Sequence, residues 1–102
     1  MKQVMVRYKV KADRAAENEN YISRVFEALK RDNPPGLHYA SFKLDDGVSF
    51  VHIASFEAVD GGSPLGKVAA FKAFTAEIKD RCKEPPVAVD LQEIGSYRFF
   101  VE

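Results

Sequence analysis

Two stretches constrain the fold of this 102-residue chain more than anything else in it: "GLHYASFKLD", Gly36 to Asp45, and "VSFVHIASFE", Val48 to Glu57. Both are strand-like runs carrying aromatic and aliphatic residues, and Asp46-Gly47 joins them. That dipeptide suits the two-residue type I′ turn of a β-hairpin. If Asp46 and Gly47 form the turn, Asp45 pairs with Val48 and the register follows. Lys43 then faces Phe50, Ser41 faces His52, Tyr39 faces Ala54 and Leu37 faces Phe56. A histidine at the centre of an apolar strand raises the question of what its ring touches.

The flanking sequence supplies the other elements. "KQVMVRYKVK" alternates, with Val4, Val6, Tyr8 and Val10 on one side and Met5, Arg7, Lys9 and Lys11 on the other. That period of two predicts a strand with one apolar face. Asp13 is positioned to cap a helix whose Ile22, Val25, Phe26 and Leu29 recur at helical spacing. Asn33-Pro34-Pro35-Gly36 stops it, because proline cannot continue a helix. After a glycine-rich loop, Ser63-Pro64 reads as a cap followed by a first-turn proline. Leu65, Val68, Phe71, Ile78 and Cys82 then form a helical stripe with Phe74 at its edge, ended by Pro85-Pro86. A last strand sets Val87, Val89 and Leu91 against Ala88, Asp90 and Gln92.

The order β-α-β-β-α-β is the split βαβ pattern of a ferredoxin-like α+β fold. It implies a four-stranded antiparallel sheet in the order 4-1-3-2, with two helices on one face. The chain length implies one domain over 1–102. The most aliphatic side of each strand is expected to meet the helices: Val4, Val6, Val10, Phe42, Leu44, Val51, Ile53, Val87, Val89 and Leu91. The helix-free face would then carry Met5, Arg7, Lys9, Tyr39, Ser41, Lys43, Phe50, His52, Ala54, Phe56, Ala88, Asp90, Gln92 and Ile94. Such a mixed face suits a subunit interface or a ligand cavity. A homodimer through the helix-free sheet face would bury both sets of residues.

Composition narrows the function classes. Lys+Arg and Asp+Glu are equal at 15 each, so there is no basic excess for nucleic acid. The single cysteine, Cys82, closes no disulfide within the chain and supplies no cysteine zinc site, which fits a reducing cytoplasm. No run approaches the ~20 apolar residues of a spanning helix, so no membrane partner is expected.

With these elements in place, the chain resembles the dimeric α/β-barrel superfamily, near the antibiotic biosynthesis monooxygenase (ABM) domains. The resemblance covers nearly the whole chain. It rests on the element order, on Gly36, Tyr39, Phe50, Phe56 and Glu57, and on "PLGKVAAFKAFTAEI", Pro64 to Ile78. It implies a dimer in which two ferredoxin-like sheets form a barrel. It also implies, for some members, oxygenation of quinol-like or anthrone-like polyketides without a cofactor. The chain departs from the family at Val68-Ala69-Ala70, where many members carry a histidine. With no tryptophan it also lacks the Asn–Trp–His set of the haem-degrading members.

Candidate site residues follow from residue chemistry and this resemblance together. His52 is the candidate catalytic base, since an imidazole can take a proton from a phenol; otherwise it is a histidine hydrogen-bonded within the interface. Tyr39, Ser41, Arg7 and Phe50 are candidate substrate-binding residues for a small aromatic ligand. Arg7 and Lys9 alternatively pair with Asp90 across strands. His38 is expected on the opposite strand face from His52, so no shared metal site is expected, and no cofactor. Cys82 is expected to be a buried apolar residue.

Overall fold

The computed structural model describes residues 1–57 and 62–99. The loop positions 58–61, including Gly61, and the chain end at 100–102 lie outside them. The elements run β1 (Lys2–Val10), a 3₁₀ turn (Ala12–Arg14), α1 (Ala15–Asp32), β2 (Leu37–Lys43) and β3 (Ser49–Phe56). They continue with a second 3₁₀ turn (Pro64–Lys67), α2 (Ala69–Ala76), a short α3 (Ile78–Arg81) and β4 (Cys82–Leu91). The strands form one antiparallel sheet in the order β2-β3-β1-β4, with the helices on one side. This is the ferredoxin-like α+β architecture that the element order implies.

The hairpin register is as read: Ser41 lies opposite His52, Tyr39 opposite Ala54 and Lys43 opposite Phe50. The turn differs. Leu44 N–H donates to Ser49 O at 2.8 Å, closing a four-residue loop, and within it Gly47 N–H donates to Leu44 O at 3.1 Å. Gly47 has φ +77° whereas Asp46 does not have positive φ, so the type I′ turn is absent. The Asp46 carboxylate instead accepts from the backbone of Val48 and Ser49, which holds the wider loop.

The helix ends also depart from expectation. Asp13 sits inside the first 3₁₀ turn rather than capping α1, and Arg14 precedes the helix with no side-chain cap. Asn33 closes α1 in the left-handed conformation, at φ 45°, with its N–H on Leu29 O. Ser63 does cap, its Oγ accepting from Leu65 N at 3.1 Å, but it caps the 3₁₀ turn. The stripe from Leu65 to Cys82 is not one helix, because Val68 is extended and Glu77 leaves the helical region. Cys82 begins β4, and Pro85-Pro86 lie within that strand instead of ending a helix. β4 is an edge strand whose register against β1 shifts twice, and an edge is where a sheet tolerates missing N–H donors.

Three of the four strands turn the opposite side to the helices from the one their aliphatic residues suggest. Residues directly opposite one another in an antiparallel pair point to the same side of the sheet. Val6 faces the helices, and it pairs with both His52 and Ala88. So His52, Ala54, Phe56, Phe50, Tyr39 and Ser41 belong to the helix side. The core is Tyr8, Val10, Val25, Phe50, Ala54, Phe56, Leu65 and Phe74. The β1 assignment holds, but for β2, β3 and β4 the aliphatic parity faces away from the helices. There Phe42, Leu44, Val87, Val89 and Leu91 keep between 37% and 48% of their surface exposed. The physical reason is that a parity carrying His, Tyr and Ser can be buried when its polar atoms find partners, and here they do.

Candidate active site

His52 is placed by the middle of β3 and is 4% exposed. Its ring is in contact with protein groups at both nitrogens. Nε2 lies 2.8 Å from Tyr8 Oη, on the neighbouring strand β1. Nδ1 lies 2.6 Å from Ser41 Oγ and 3.0 Å from Tyr39 Oη, both on β2. Three strands thus converge on one imidazole, and strand pairing fixes all three side chains. Stacking adds to the packing: the His52 ring lies nearly parallel to Tyr8, 5.4 Å between centroids, and to Tyr39, 5.9 Å.

The polar cluster continues through α1 and α3. Asn18 Nδ2 donates to Tyr8 Oη at 2.9 Å, and Arg81 Nε donates to Asn18 Oδ1 at 3.2 Å. Arg81 is 1% exposed. A second guanidinium nitrogen donates to the carbonyl of Phe74 at 2.7 Å, and the charge sits 4.4 Å from the centre of the Tyr21 ring. These contacts compensate for removing the guanidinium from water. Among the described residues, no buried side-chain nitrogen or oxygen lacks a hydrogen-bond partner.

Burial sets the protonation states. It pushes the imidazole of His52 down to about 4, because the charged ring has lost its water. It pushes the Tyr39 phenol up to about 12, and raises that of Tyr8 well above the ordinary tyrosine value. At neutral pH the site therefore holds a neutral imidazole between neutral phenols.

Beside this cluster is a cavity of about 320 Å³ between the sheet and the helices. Val6, Tyr8, Tyr39 and His52 line it from the sheet, and Phe71, Phe74, Thr75 and Ile78 from α2 and α3. Its wall is aromatic and aliphatic, which suits a small flat apolar compound. A second groove, of about 400 Å³, lies on the helix-free side, where Arg7 and Lys9 meet Glu84 and Val87. The sequence-derived candidates therefore divide. His52, Tyr39 and Ser41 come together; Tyr39 and His52 line the cavity; Phe50 is core beneath them, stacked on Tyr8 at 5.6 Å. Arg7 is on the opposite face and not in this site. Asp90 does not pair with Arg7 or Lys9 as expected; its ion-pair partner is Lys2, at 4.0 Å.

Tyr8, Asn18 and Arg81 were not singled out from sequence. Their spacing carried a faint signal: Asn18 is four residues before Ile22 and seven before Val25, on the buried stripe of α1, and Arg81 follows Ile78 by three. His38 pairs with Ser55, on the strand face opposite to that of His52. Among the described residues no group of three or more His, Cys, Asp or Glu is arranged to hold a metal ion. No helix among them is long and apolar enough to cross a membrane.

The architecture is that of the ABM domains, a ferredoxin-like sheet with helices over one face, and the chain has an ABM-like domain fold. Three solved structures illustrate the likeness. A candidate antibiotic biosynthesis monooxygenase from Nitrosomonas europaea superposes with TM-score 0.74 at 17% identity, over 91% of this chain and 89% of its own. Another described in the same way, from Caulobacter crescentus, gives TM-score 0.68 at 25% identity, over 92% and 90%. SnoaB, a cofactor-independent oxygenase from Streptomyces nogalater, gives TM-score 0.66 at 16% identity, over 96% and 97%. No family model and no curated protein matches the chain.

Proposed function

We propose that this protein is a homodimeric α/β barrel whose subunit cavity binds a small aromatic or polyketide-like compound and oxygenates it with O2 without a cofactor. The observation that carries this reading is the aromatic-walled cavity of about 320 Å³ ending at His52 and Tyr39. Its similarity in fold to SnoaB, a cofactor-independent oxygenase, supports the chemistry. Removal of a proton from the bound compound leaves an electron-rich carbanion or enolate that O2 can oxidise. For an anthrone-like substrate, one oxygen atom becomes the new carbonyl. The other leaves as water with both hydrogens of the methylene carbon, so O2 is the only oxidant needed. His52 is the proton acceptor, neutral and therefore ready at physiological pH; Tyr39, which lines the cavity beside it, orients the ligand, and Ser41 holds the imidazole at Nδ1.

A second reading is favoured by a specific observation. Both nitrogens of His52 are already engaged by protein groups, and burial weakens it as a base. A non-catalytic dimeric barrel, structural or ligand-binding, would need no more. Oxygen uptake with quinol and anthrone substrates separates the two. The enzymatic reading expects uptake by the protein and at least a tenfold loss in His52→Ala; unchanged turnover in that variant removes His52 as the base.

The dimer rests on the helix-free face. Phe42, Leu44, Val87, Val89 and Leu91 form an apolar strip there, with Val51 and Ile53 half-buried among them. A formal net charge of zero gives two copies little mutual repulsion. A two-fold axis over this strip would cover both copies at once, with Arg7 between Val51 and Val87 and with Lys9 and Glu84 at the margin.

A further inference from the structure

The buried polar cluster reads as a chain with one direction. Arg81 has only donors, so the amide of Asn18 must turn Oδ1 toward it. That orientation aims Nδ2 at Tyr8 Oη, which therefore accepts. The single proton of Tyr8 then has one acceptor within reach, Nε2 of His52 at 2.8 Å. Were Nε2 to carry the proton instead, the hydroxyl proton of Tyr8 would be buried and unpaired, at a cost of about 1–3 kcal/mol. So Nε2 accepts and Nδ1 carries the ring proton, which it donates to Ser41 and Tyr39.

We infer that Arg81 and Asn18 are positioning residues that lock His52 in the Nδ1–H tautomer, with Tyr8 carrying the orientation from Asn18 to Nε2. The lock does not depend on the oxygenase reading above.

The tautomer is measurable without ligand or turnover, by nitrogen-15 NMR of histidine-labelled protein at neutral pH. The wild type is expected to show His52 protonated at Nδ1 and bare at Nε2. The decisive variant is Asn18→Asp, nearly the same shape and an ion-pair partner for Arg81. Its carboxylate accepts from Tyr8, turning that hydroxyl around, so that Tyr8 must accept from His52 and the proton moves to Nε2. A side chain that merely packs would leave the tautomer as it was. Wild-type His52 protonated at Nε2, or an Asn18→Asp protein that keeps the proton on Nδ1, overturns the inference. If that variant fails to fold, the wild-type spectrum alone decides. Absence of oxygen uptake with a wild-type Nδ1–H signal would defeat the oxygenase reading while leaving the lock standing.

Discussion

At the scale of single residues, His52 couples the site to pH. Its imidazole is held down to about 4 from an ordinary value of 6.5 by burial. Between those pH values the unfolded chain binds a proton that the folded chain refuses. Stability is therefore fully present above pH 6.5 and falls as pH drops toward 4, by about 3 kcal/mol for this one group. Carboxylates titrating in the same range add losses of their own. The expected signature is thus a difference: His52→Gln is less stable than wild type near neutrality but loses less between about pH 7 and pH 4.5. Urea denaturation at the two pH values reads it, and parallel losses in both proteins would contradict it. Little of this residue-scale picture was legible in the sequence. His52, Tyr39 and Ser41 could be grouped because a local hairpin register joins them. Asn18 and Arg81 are 63 residues apart, and only the tertiary fold brings Arg81 to Asn18 and Asn18 to Tyr8. A buried arginine also looks like any surface arginine in a sequence until its partners are known.

At the scale of elements, periodicity located the strands, and Asp46-Gly47 located the hairpin loop though not its turn type. β1 and the β2–β3 hairpin were readable because alternation and pairing are local. The faces were not, because the aliphatic side of β3, Val51 and Ile53, looks more like core than the side bearing His52. Two observations override that impression: Val6 pairs with His52, and the ring's polar atoms are satisfied. The broken second helix was illegible for a similar reason, since its apolar stripe continues across the breaks at Val68 and Glu77. The hairpin loop gives an element-scale prediction. Gly47 adopts φ +77°, and a Cβ there would meet no atom within 4 Å. Gly47→Ala should therefore cost only the left-handed backbone, about 1 kcal/mol, with the register kept. Urea midpoints measure the cost, and unchanged stability would mean that the loop relaxes out of this conformation.

At the scale of the whole molecule, the two sides of the sheet have different tasks. One is packed by helices and encloses the cavity beside His52. The other presents an apolar strip that the dimer proposal covers with a second copy. Val89→Lys places a charge where that strip crosses β4, at a position 40% exposed and remote from the core. Sedimentation should then show a dimer in the wild type and a monomer in the variant, with the far-ultraviolet circular dichroism unchanged; a wild-type monomer would remove the barrel. The net charge of zero and the ferredoxin-like order were both visible in the sequence. The hole was not, because a cavity is the space left by side chains that do not quite meet.

That space is the central claim, and direct binding tests it. The protein would be titrated with 2-naphthol, a flat aromatic compound with one hydroxyl, and the ring resonances of His52 and the methyl of Thr75 followed by NMR. The cavity reading predicts saturable shifts at both residues in the wild type. It also predicts their loss in Ala54→Leu, whose larger side chain grows into the cavity from β3 while the amide spectrum stays folded. Shifts confined to the helix-free face, or saturable shifts at His52 and Thr75 that survive in Ala54→Leu, would contradict it.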